Sequence, residues 1–450
     1  MLSTLAAFSA RTAAVGLTIA LMIATAASGV AMAQTNERLY ENLDFRFDTP
    51  GARALGMGRA FVGLADDATA ALSNPAGLSN LLGQQFSLEF RGTERERQVT
   101  PTPGVPGVPG VPGVNDAQSF GQFVFTPSFM SYALPFERAT LLLYRNSQQK
   151  FQESFEFGPR QVPTRDAPED GAFGAISAAV ENFGAGGAFV VNSKLSAGGS
   201  FNLVTLDLAS EARSGTRLNP RNGSNTIATS YRWSGTGGIL FKPVRGVAVG
   251  GTYAHRAVFP VQTRLFGRFL YTQFDPEGTI VLTGESRDID YVIPTRYAVG
   301  GSWRVRDTLT VTSDVTRVLY SQRITDNFLI VDFIDPVARL SAKNFSIRDV
   351  TQLHAGAEYR FYFLKSTVAV RGGFYTEPNH PLRFVRGGNN TQHPADALLD
   401  FRFNRLPDQT RIAKTGGVGI ALANRVQSDG AISVLPGQTQ FVASLVFRVN

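Results

Sequence analysis

From Leu353 onward, apolar and aromatic residues fall on alternate positions, Leu353, Ala355, Ala357, Tyr359, Phe361 and Phe363, with Gln352, His354, Gly356, Glu358, Arg360 and Tyr362 between them. A β-strand turns successive side chains to opposite faces, so this run carries one greasy face and one polar face. The last segment repeats the pattern, with Phe441, Ala443, Leu445, Phe447 and Val449 set against Gln440, Ser444 and Arg448, and so does Tyr297 to Val305 against Ser302, Arg304 and Arg306. Alternation suits a soluble sandwich as well as a barrel in lipid. The connections separate the two. Tight turns are expected at Phe136 to Ala139, Asn192 to Lys194, Pro243 to Gly246, Arg306 to Thr308, Leu364 to Thr367 and Asn424 to Gly430. Long polar stretches fall between them: Gln148 to Gly171, Ser210 to Thr229, Ile324 to Asp349 and Thr376 to Gln409. Short turns at one end and long loops at the other are the habit of outer-membrane barrels, whose strands need only about 9 to 11 residues each. Six such hairpins, one strand before the first and one after the last predict an all-β, antiparallel transmembrane barrel of about fourteen strands over residues 84–450, with both ends facing the periplasm.

After residue 33 no apolar run reaches the roughly 18 residues of a helical span, so a membrane location implies a barrel. Composition agrees: 45 glycines and 34 phenylalanines, against 5 methionines and 2 tryptophans in 450 residues, suit a sheet with many turns. At 43% apolar and 18% charged, the chain is too apolar for disorder. The absence of cysteine removes disulfides, thiolate metal sites and cysteine nucleophiles. A net charge of +7 would attract anionic surfaces such as lipopolysaccharide and lipid headgroups. Residues 1–33 read as a signal peptide: Arg11, an apolar stretch from Thr12 through Ala27, then the small-x-small end Ala31-Met32-Ala33. The mature chain is then expected to start at Gln34, and export excludes nucleic acid as a partner. The Pro-Gly-Val repeats from Pro103 to Val114 lack ladder donors and read as an external loop.

Residues 34–83 lack the alternation. Here stands a run dense in small residues, Gly56-Met-Gly58-Arg59-Ala60-Phe61-Val-Gly63-Leu-Ala-Asp66-Asp67, followed by Asn74-Pro75-Ala76-Gly77. Small residues permit close packing, and Asp67 or Asn74 could cap short helices or hold a turn before Pro75. A segment of roughly 50 residues is too short to fold alone. Inside a barrel's polar lumen its surface would be covered by the wall and it would act as a hatch. Adjacent carboxylates point apart, so Asp66 and Asp67 are expected to cap and to bond the barrel wall rather than to act as a catalytic pair.

The run GMGRAFVGLADDATAALSNPAGL, with its Asn74-Pro75-Ala76 motif, resembles the N-terminal hatch signature of the FadL family of outer-membrane transporters for long-chain fatty acids and other hydrophobic compounds. The resemblance implies a hatch-plugged barrel that binds an apolar substrate outside, passes it through the wall and releases it sideways into the bilayer. The same signature also resembles that of PorV-like barrels that serve protein secretion, which leaves a structural or secretion-partner barrel as the alternative. The chain departs from the common outer-membrane pattern at its end, which reads Phe447-Arg448-Val449-Asn450 rather than closing on an aromatic residue.

For such a transporter a dry groove suits an apolar solute better than a water-filled pore, because transfer gains about 25 cal/mol per Å² buried. Arg91, Arg95, Arg97, Arg160 and Arg165, taken as lying in early external segments, are candidates to hold a fatty-acid carboxylate; lipopolysaccharide contact or a solvated loop charge is the alternative. Pro127 interrupts the good strand Phe123 to Leu134 and cannot donate to the ladder, so a lateral gap is expected between it and Thr140 to Lys150, unless Pro127 marks a simple bulge. Asn74 to Gly77 is the expected pivot for hatch movement. No G-x-S-x-G, H-E-x-x-H or phosphate loop is present, and Gly56-x-Gly58 completes no dinucleotide fingerprint. His380, His393 and Asp396 match no metal-ligand spacing. The expectation is a non-enzymatic monomer without cofactor.

Overall fold

The computed structural model describes residues 50–99, 118–157, 172–215, 220–270, 279–328, 342–363, 366–385, 400, 403–404, 407–423 and 425–449. The expected signal peptide lies outside them, as do residues 34–49 of the expected hatch and the Pro-Gly-Val repeats.

The strands are β1 (Gln84–Val99), β2 (Gln118–Pro135), β3 (Ala139–Phe157), β4 (Ala172–Val190), β5 (Leu195–Gly215), β6 (Pro220–Phe241), β7 (Val247–Ala254), β8 (Ala257–Leu270), β9 (Thr279–Ile293), β10 (Arg296–Arg306), β11 (Leu309–Val318), β12 (Phe345–Ile347), β13 (Val350–Phe363), β14 (Ser366–Pro378), β15 (Leu382–Phe384), β16 (Thr410–Leu422), β17 (Val426–Leu435) and β18 (Gln438–Val449). Following the ladders from β1 through β7, then β10, β11, β13, β14, β16, β17 and β18 returns to β1, a closed antiparallel ring of 14 strands. Closure leaves no edge, which is what a sheet in hydrocarbon requires. β8 and β9 form a hairpin outside the ring sequence that pairs with the far end of β6, and β12 pairs with β15 in a small separate sheet.

Every expected tight turn falls at one end of the ring, between the strand ends at Pro135 and Ala139, Val190 and Leu195, Phe241 and Val247, Arg306 and Leu309, Phe363 and Ser366, and Leu422 and Val426. Two features depart from expectation. Strands β3 to β6 run 19, 19, 21 and 22 residues, twice the length a bilayer needs, and absorb much of the expected Ser210 to Thr229 loop. The outer end of β6 reads Asn222-Gly-Ser-Asn-Thr226, which is loop-like in hydropathy although its backbone stays paired with β5. At the loop end β17 and β18 join through the tight turn Pro436-Gly437, where Gly437 takes φ 75°.

The alternation sorts as expected. Val299, Trp303, Leu353, Tyr359 and Phe361 face outward and exposed, while Glu358, His354 and Ser302 on the same strands are buried toward the lumen. A substitution on the outer face tests the lipid assignment. Val299→Arg, near the middle of β10, is expected to lower stability by about 2–4 kcal/mol in urea-titrated folding into liposomes; a change within 0.5 kcal/mol of zero would contradict a hydrocarbon surroundings.

Candidate functional site

Residues 51–81 cross the lumen as a hatch built from α1 (Ala52–Gly56), α2 (Ala70–Ser73) and a 3₁₀ turn over Pro75–Asn80. Between the helices the chain runs through successive turns, with local bonds such as Arg59 N to Ala54 O and Ala65 N to Phe61 O (both 2.8 Å), and the wall bonds backbone groups of the same segment. Successive wall strands each supply one side chain. Thr415 on β16 accepts from Gly58 N (3.0 Å), His354 on β13 meets Gly58 O (3.1 Å), Thr312 on β11 donates to Ala60 O (2.9 Å), Asp314 accepts from Val62 N (2.7 Å) and Ser302 on β10 donates to Gly63 O (2.9 Å). Approach this close leaves no room for a Cβ on either side: one on Gly373 would sit 2.5 Å from Gly58 N, and one on Gly63 would sit 2.6 Å from Gly301 Cα. Gly58 itself takes φ 65°, a left-handed conformation that favours glycine.

One hatch side chain enters a buried charge network on the wall. Arg53 forms a two-pronged pair with Glu358 (2.9 and 3.0 Å), and Glu358 also accepts from Arg371 Nε and Arg360 Nε, each at 2.7 Å. Arg371 continues to Asp429 (2.6 Å), and Arg53 also pairs with Asp66 of the hatch. Burial alone would lower the Arg53 pKa, but Asp66 and Glu358 raise it well above its ordinary value, so the guanidinium stays charged. Arg59 bonds Gln440 (2.7 Å) and lies 4.6 Å over the Tyr375 ring.

At the other side of the lumen Asn74 is wholly buried and donates to Val62 O and to the wall carbonyl Ile239 O, both at 2.9 Å, while its Oδ1 accepts from Ala76 N (3.2 Å). Pro75 and Ala76 press on Gly198, Asn74 on Gly238, and Gly77 on Ala65. At Asn74 to Gly77, the expected pivot, the Asn74 side chain joins hatch to wall and Gly77 allows the close approach of Ala65. Asp67 holds the turn that leads into α2, as expected, whereas Asp66 pairs with Arg53 of the hatch. Asp67 accepts from Thr69 N (2.9 Å) and Thr69 Oγ1 (2.5 Å), and burial pushes its carboxyl up to about 6 against those bonds and the Arg53 charge.

The ring is interrupted in two places among the described residues: along β6, where residues 227–235 lie between the ladder to β7 (from Thr236↔Ala254) and that to β8 (to Thr226↔Thr263), and beside Pro127. β2 pairs with β3 only from Pro135↔Thr140 to Phe129↔Asn146, although both strands continue and β3 stays paired with β4 to Phe157↔Ala172. Three irregularities meet at that level: Pro127, exposed and without an N–H; a register shift that turns both Ser128 and Phe129 inward; and a second shift on β3 between Ser147 and Gln149. Arginines serve the carbonyls freed there: Arg145 Nη1 donates to Pro127 O (3.0 Å) and Arg91 Nη1 to Ser147 O (3.4 Å). Arg91 is thus corrected from an external contact to a buried lumen residue beside Glu89, which accepts from Ser128 Oγ (2.6 Å) and Gly51 N (2.5 Å). Arg95 and Arg97 lie farther along β1 toward the loop end, and Arg160 and Arg165 fall outside the described residues.

The hatch divides two chemically different spaces. On the loop side a buried apolar cluster joins lumen-facing residues of β3 to β5, such as Phe151, Val180 and Leu206, to Phe259 of β8, Tyr291 of β9 and Phe345, Leu382 and Phe384. On the short-turn side a cavity of about 1200 Å³ is lined by Arg53, Lys242, Arg304, Glu358, Arg371 and Asp429 among others. His380 stacks on Tyr320 with centroids 3.6 Å apart, and no metal-binding cluster occurs among the described residues. Sequence reasoning missed Arg53, Glu358, Arg371 and Asn146. The glycine pairs Gly237-Gly238, Gly300-Gly301 and Gly416-Gly417 were the available signal: one member of each faces the hatch.

Solved structures share this fold. The toluene transporter TbuX of Ralstonia pickettii matches over 90% of this chain and 100% of its own at 18% identity, with a TM-score of 0.57. A FadL homologue of Pseudomonas aeruginosa matches over 94% and 100% at 14% identity (TM-score 0.58), and the toluene transporter TodX of P. putida over 90% and 100% at 13% (TM-score 0.55). No family model and no curated protein matches the chain. At these identities the likeness is one of fold.

Glu358→Gln would leave three guanidinium groups short of one buried charge. Breaking a buried pair costs about 3–5 kcal/mol, and the hatch is the part held by it, so single-channel conductance in planar bilayers is expected to rise while the barrel still migrates as a folded, heat-modifiable band. Asp67 gives a pH dependence of known sign. Its carboxyl titrates near 6 when the hatch is seated and at its ordinary 3.8 when released, so seating weakens as pH rises from about 4 to about 6 and is flat above. Hydrogen exchange of hatch amides is expected to follow that slope in the wild type and to lose it in Asp67→Asn.

Proposed function

We propose that this protein is a FadL-family outer-membrane channel for the passive uptake of hydrophobic small molecules, with release sideways into the bilayer. A solute enters the apolar chamber from the loop end, is stopped by the hatch and its charge network, and leaves between β2 and β3. The reading rests on one observation above all: the ladder between those strands ends at Phe129↔Asn146, the level at which the lumen lining changes from Asn182 to Val180 and from Asn202 to Val204. The buried apolar cluster therefore abuts this break; the other unpaired stretch among the described residues, 227–235 of β6, has ladder partners in β5 but none in β7 or β8.

Two substrate classes suit so apolar a lining: long-chain fatty acids, implied by the hatch signature, and monoaromatic hydrocarbons, for which several structural neighbours are named. Arg95 and Arg97 are the placed candidates for first contact with a carboxylate. Gating would begin where the hatch is held by side-chain charge, at Arg53 and Glu358, with Asn74 to Gly77 as its fixed end. A purely sealing barrel would leave both the chamber and the break without a role.

Deletion of the gene is expected to slow entry of radiolabelled oleate or toluene, and plasmid-borne wild type to restore it. The cysteine-free chain allows a sharper test. In Phe125→Cys/Lys150→Cys, two exposed positions on the unpaired stretches of β2 and β3, a short bifunctional thiol reagent is expected to abolish the restored uptake, whereas each single variant keeps it after the same treatment. Unchanged uptake after verified cross-linking would rule out the exit between β2 and β3.

A further inference from the structure

Four buried polar atoms at the foot of the β2–β3 break have no hydrogen-bond partner: Arg91 Nε, Asn146 Oδ1, Ser147 Oγ and Asn182 Oδ1. Their residues are each at least nine-tenths buried. They also belong to one place. Asn146 and Asn182 are paired across β3 and β4, Ser147 follows Asn146, and Arg91 reaches Ser147 O from β1. Asn182 is held in orientation by its donation to Gln148 Oε1 (3.1 Å), which leaves its carbonyl oxygen pointing elsewhere. Native interiors pair nearly all such atoms, and leaving one unmade costs more than a made bond contributes. Four at the mouth of an apolar chamber mark a place that something polar visits.

We infer that this cluster is a subsite for the head group of the transported molecule, and that the head is neutral and bears an O–H. The inference rests on the transport reading above and narrows its substrate class. The inventory decides the chemistry: one N–H donor, two carbonyl acceptors and a hydroxyl require a group that both donates and accepts, which a hydrocarbon cannot do. Charge decides the rest. Arg91 is already matched by Glu89 (3.4 Å) and Arg145 by Glu181 (2.7 Å), so an ionised carboxylate would add an uncompensated negative charge beside Glu89. An alcohol, a phenol or a protonated carboxylic acid satisfies both conditions, its tail lying along Val180, Val204 and Phe151 while the head pairs with the cluster at the exit.

Uptake by cells of the deletion strain carrying wild type or variants tests this, with 1-dodecanol, its methyl ether, and dodecanoic acid at pH 5 and pH 8 as probes. Wild type is expected to take up the alcohol about tenfold faster than the ether, the loss of one O–H donor to a built site, and the acid faster at pH 5 than at pH 8. Ser147→Ala and Asn182→Leu, checked for folding by heat-modifiable migration, are expected to bring alcohol and ether within about twofold. A dependence on the alcohol alone assigns a hydroxylated substrate, and a dependence on acid at pH 5 assigns the protonated acid. Equal alcohol and ether rates in wild type, an unchanged preference in both variants, or faster acid uptake at pH 8 would overturn the subsite and leave transport standing. Absence of any protein-dependent uptake would overturn the transport reading and the subsite with it.

Discussion

A peptide segment placed inside a barrel must find partners for its own backbone, and that constraint shapes both hatch and wall. The hatch pairs only part of its N–H and C=O groups internally, through short helices and turns. Wall strands therefore bring Thr415, Thr312, Asp314 and Ser302 to it one after another, and glycine opposite glycine lets the two backbones approach. The interaction is mutual. Without the hatch, those inward hydroxyls and the Asp314 carboxylate would face a wet pore; without the wall, the segment from Gly58 to Gly63 would have no reason to keep its path. Asn74 completes the arrangement by bonding hatch and wall with the same amide group.

A closed ring of strands is the stable form in lipid, so an interruption has to be held open by something. Here it is proline on one strand and an extra residue on each. Pro127 cannot donate, and the shifts at Ser128 and Gln148 turn the remaining groups out of register. The carbonyls left over are not abandoned. Arg145 covers Pro127 O on the outer side and Arg91 covers Ser147 O on the inner side, each with a carboxylate partner of its own. Arginine suits this role because its fork can serve a carbonyl and a carboxylate together. The break is thereby stable enough to persist and weakly enough bonded to part.

Much of the barrel was legible from period-2 alternation, because lipid imposes the same rule on every strand: Leu353 to Phe363 and Phe441 to Val449 face outward as read. The break was legible too, from a single proline in an apolar strand. The lumen was not. Glu358 and Arg371 look like any polar residue of an alternating strand, and only the superposition of β13, β14 and β17 with α1 makes them a network with Arg53. The contacts of the Asn74 to Gly77 segment were hidden for a related reason: read along the chain, Gly77 suggests backbone freedom, and only the fold shows that a Cβ there would meet Ala65. Strand length failed at β5 and β6, because Ser210 to Ser214 of one and Asn222 to Thr226 of the other form a paired ladder of mostly polar residues that reads as loop in hydropathy.

The two sides of the hatch make a through-barrel path and a sideways path unequal for an apolar solute. A ring-sized molecule burying on the order of 150 Å² gains roughly 4 kcal/mol in the chamber at 25 cal/mol per Å². Passing downward means giving that up in a polar cavity of about 1200 Å³, after displacing Arg53 from Glu358. Passing sideways exchanges one apolar surrounding for another and parts no buried carboxylate from its arginine so long as Glu89 and Arg91 stay paired. The only polar toll on that route is the cluster at Asn146, Ser147 and Asn182, which a bare hydrocarbon must cross without compensation and a hydroxyl-bearing one can bond. In the proposed function, the charge network would do for the axial route what the broken ladder does for the lateral one: the cost of separating buried ions would set which way a greasy molecule leaves.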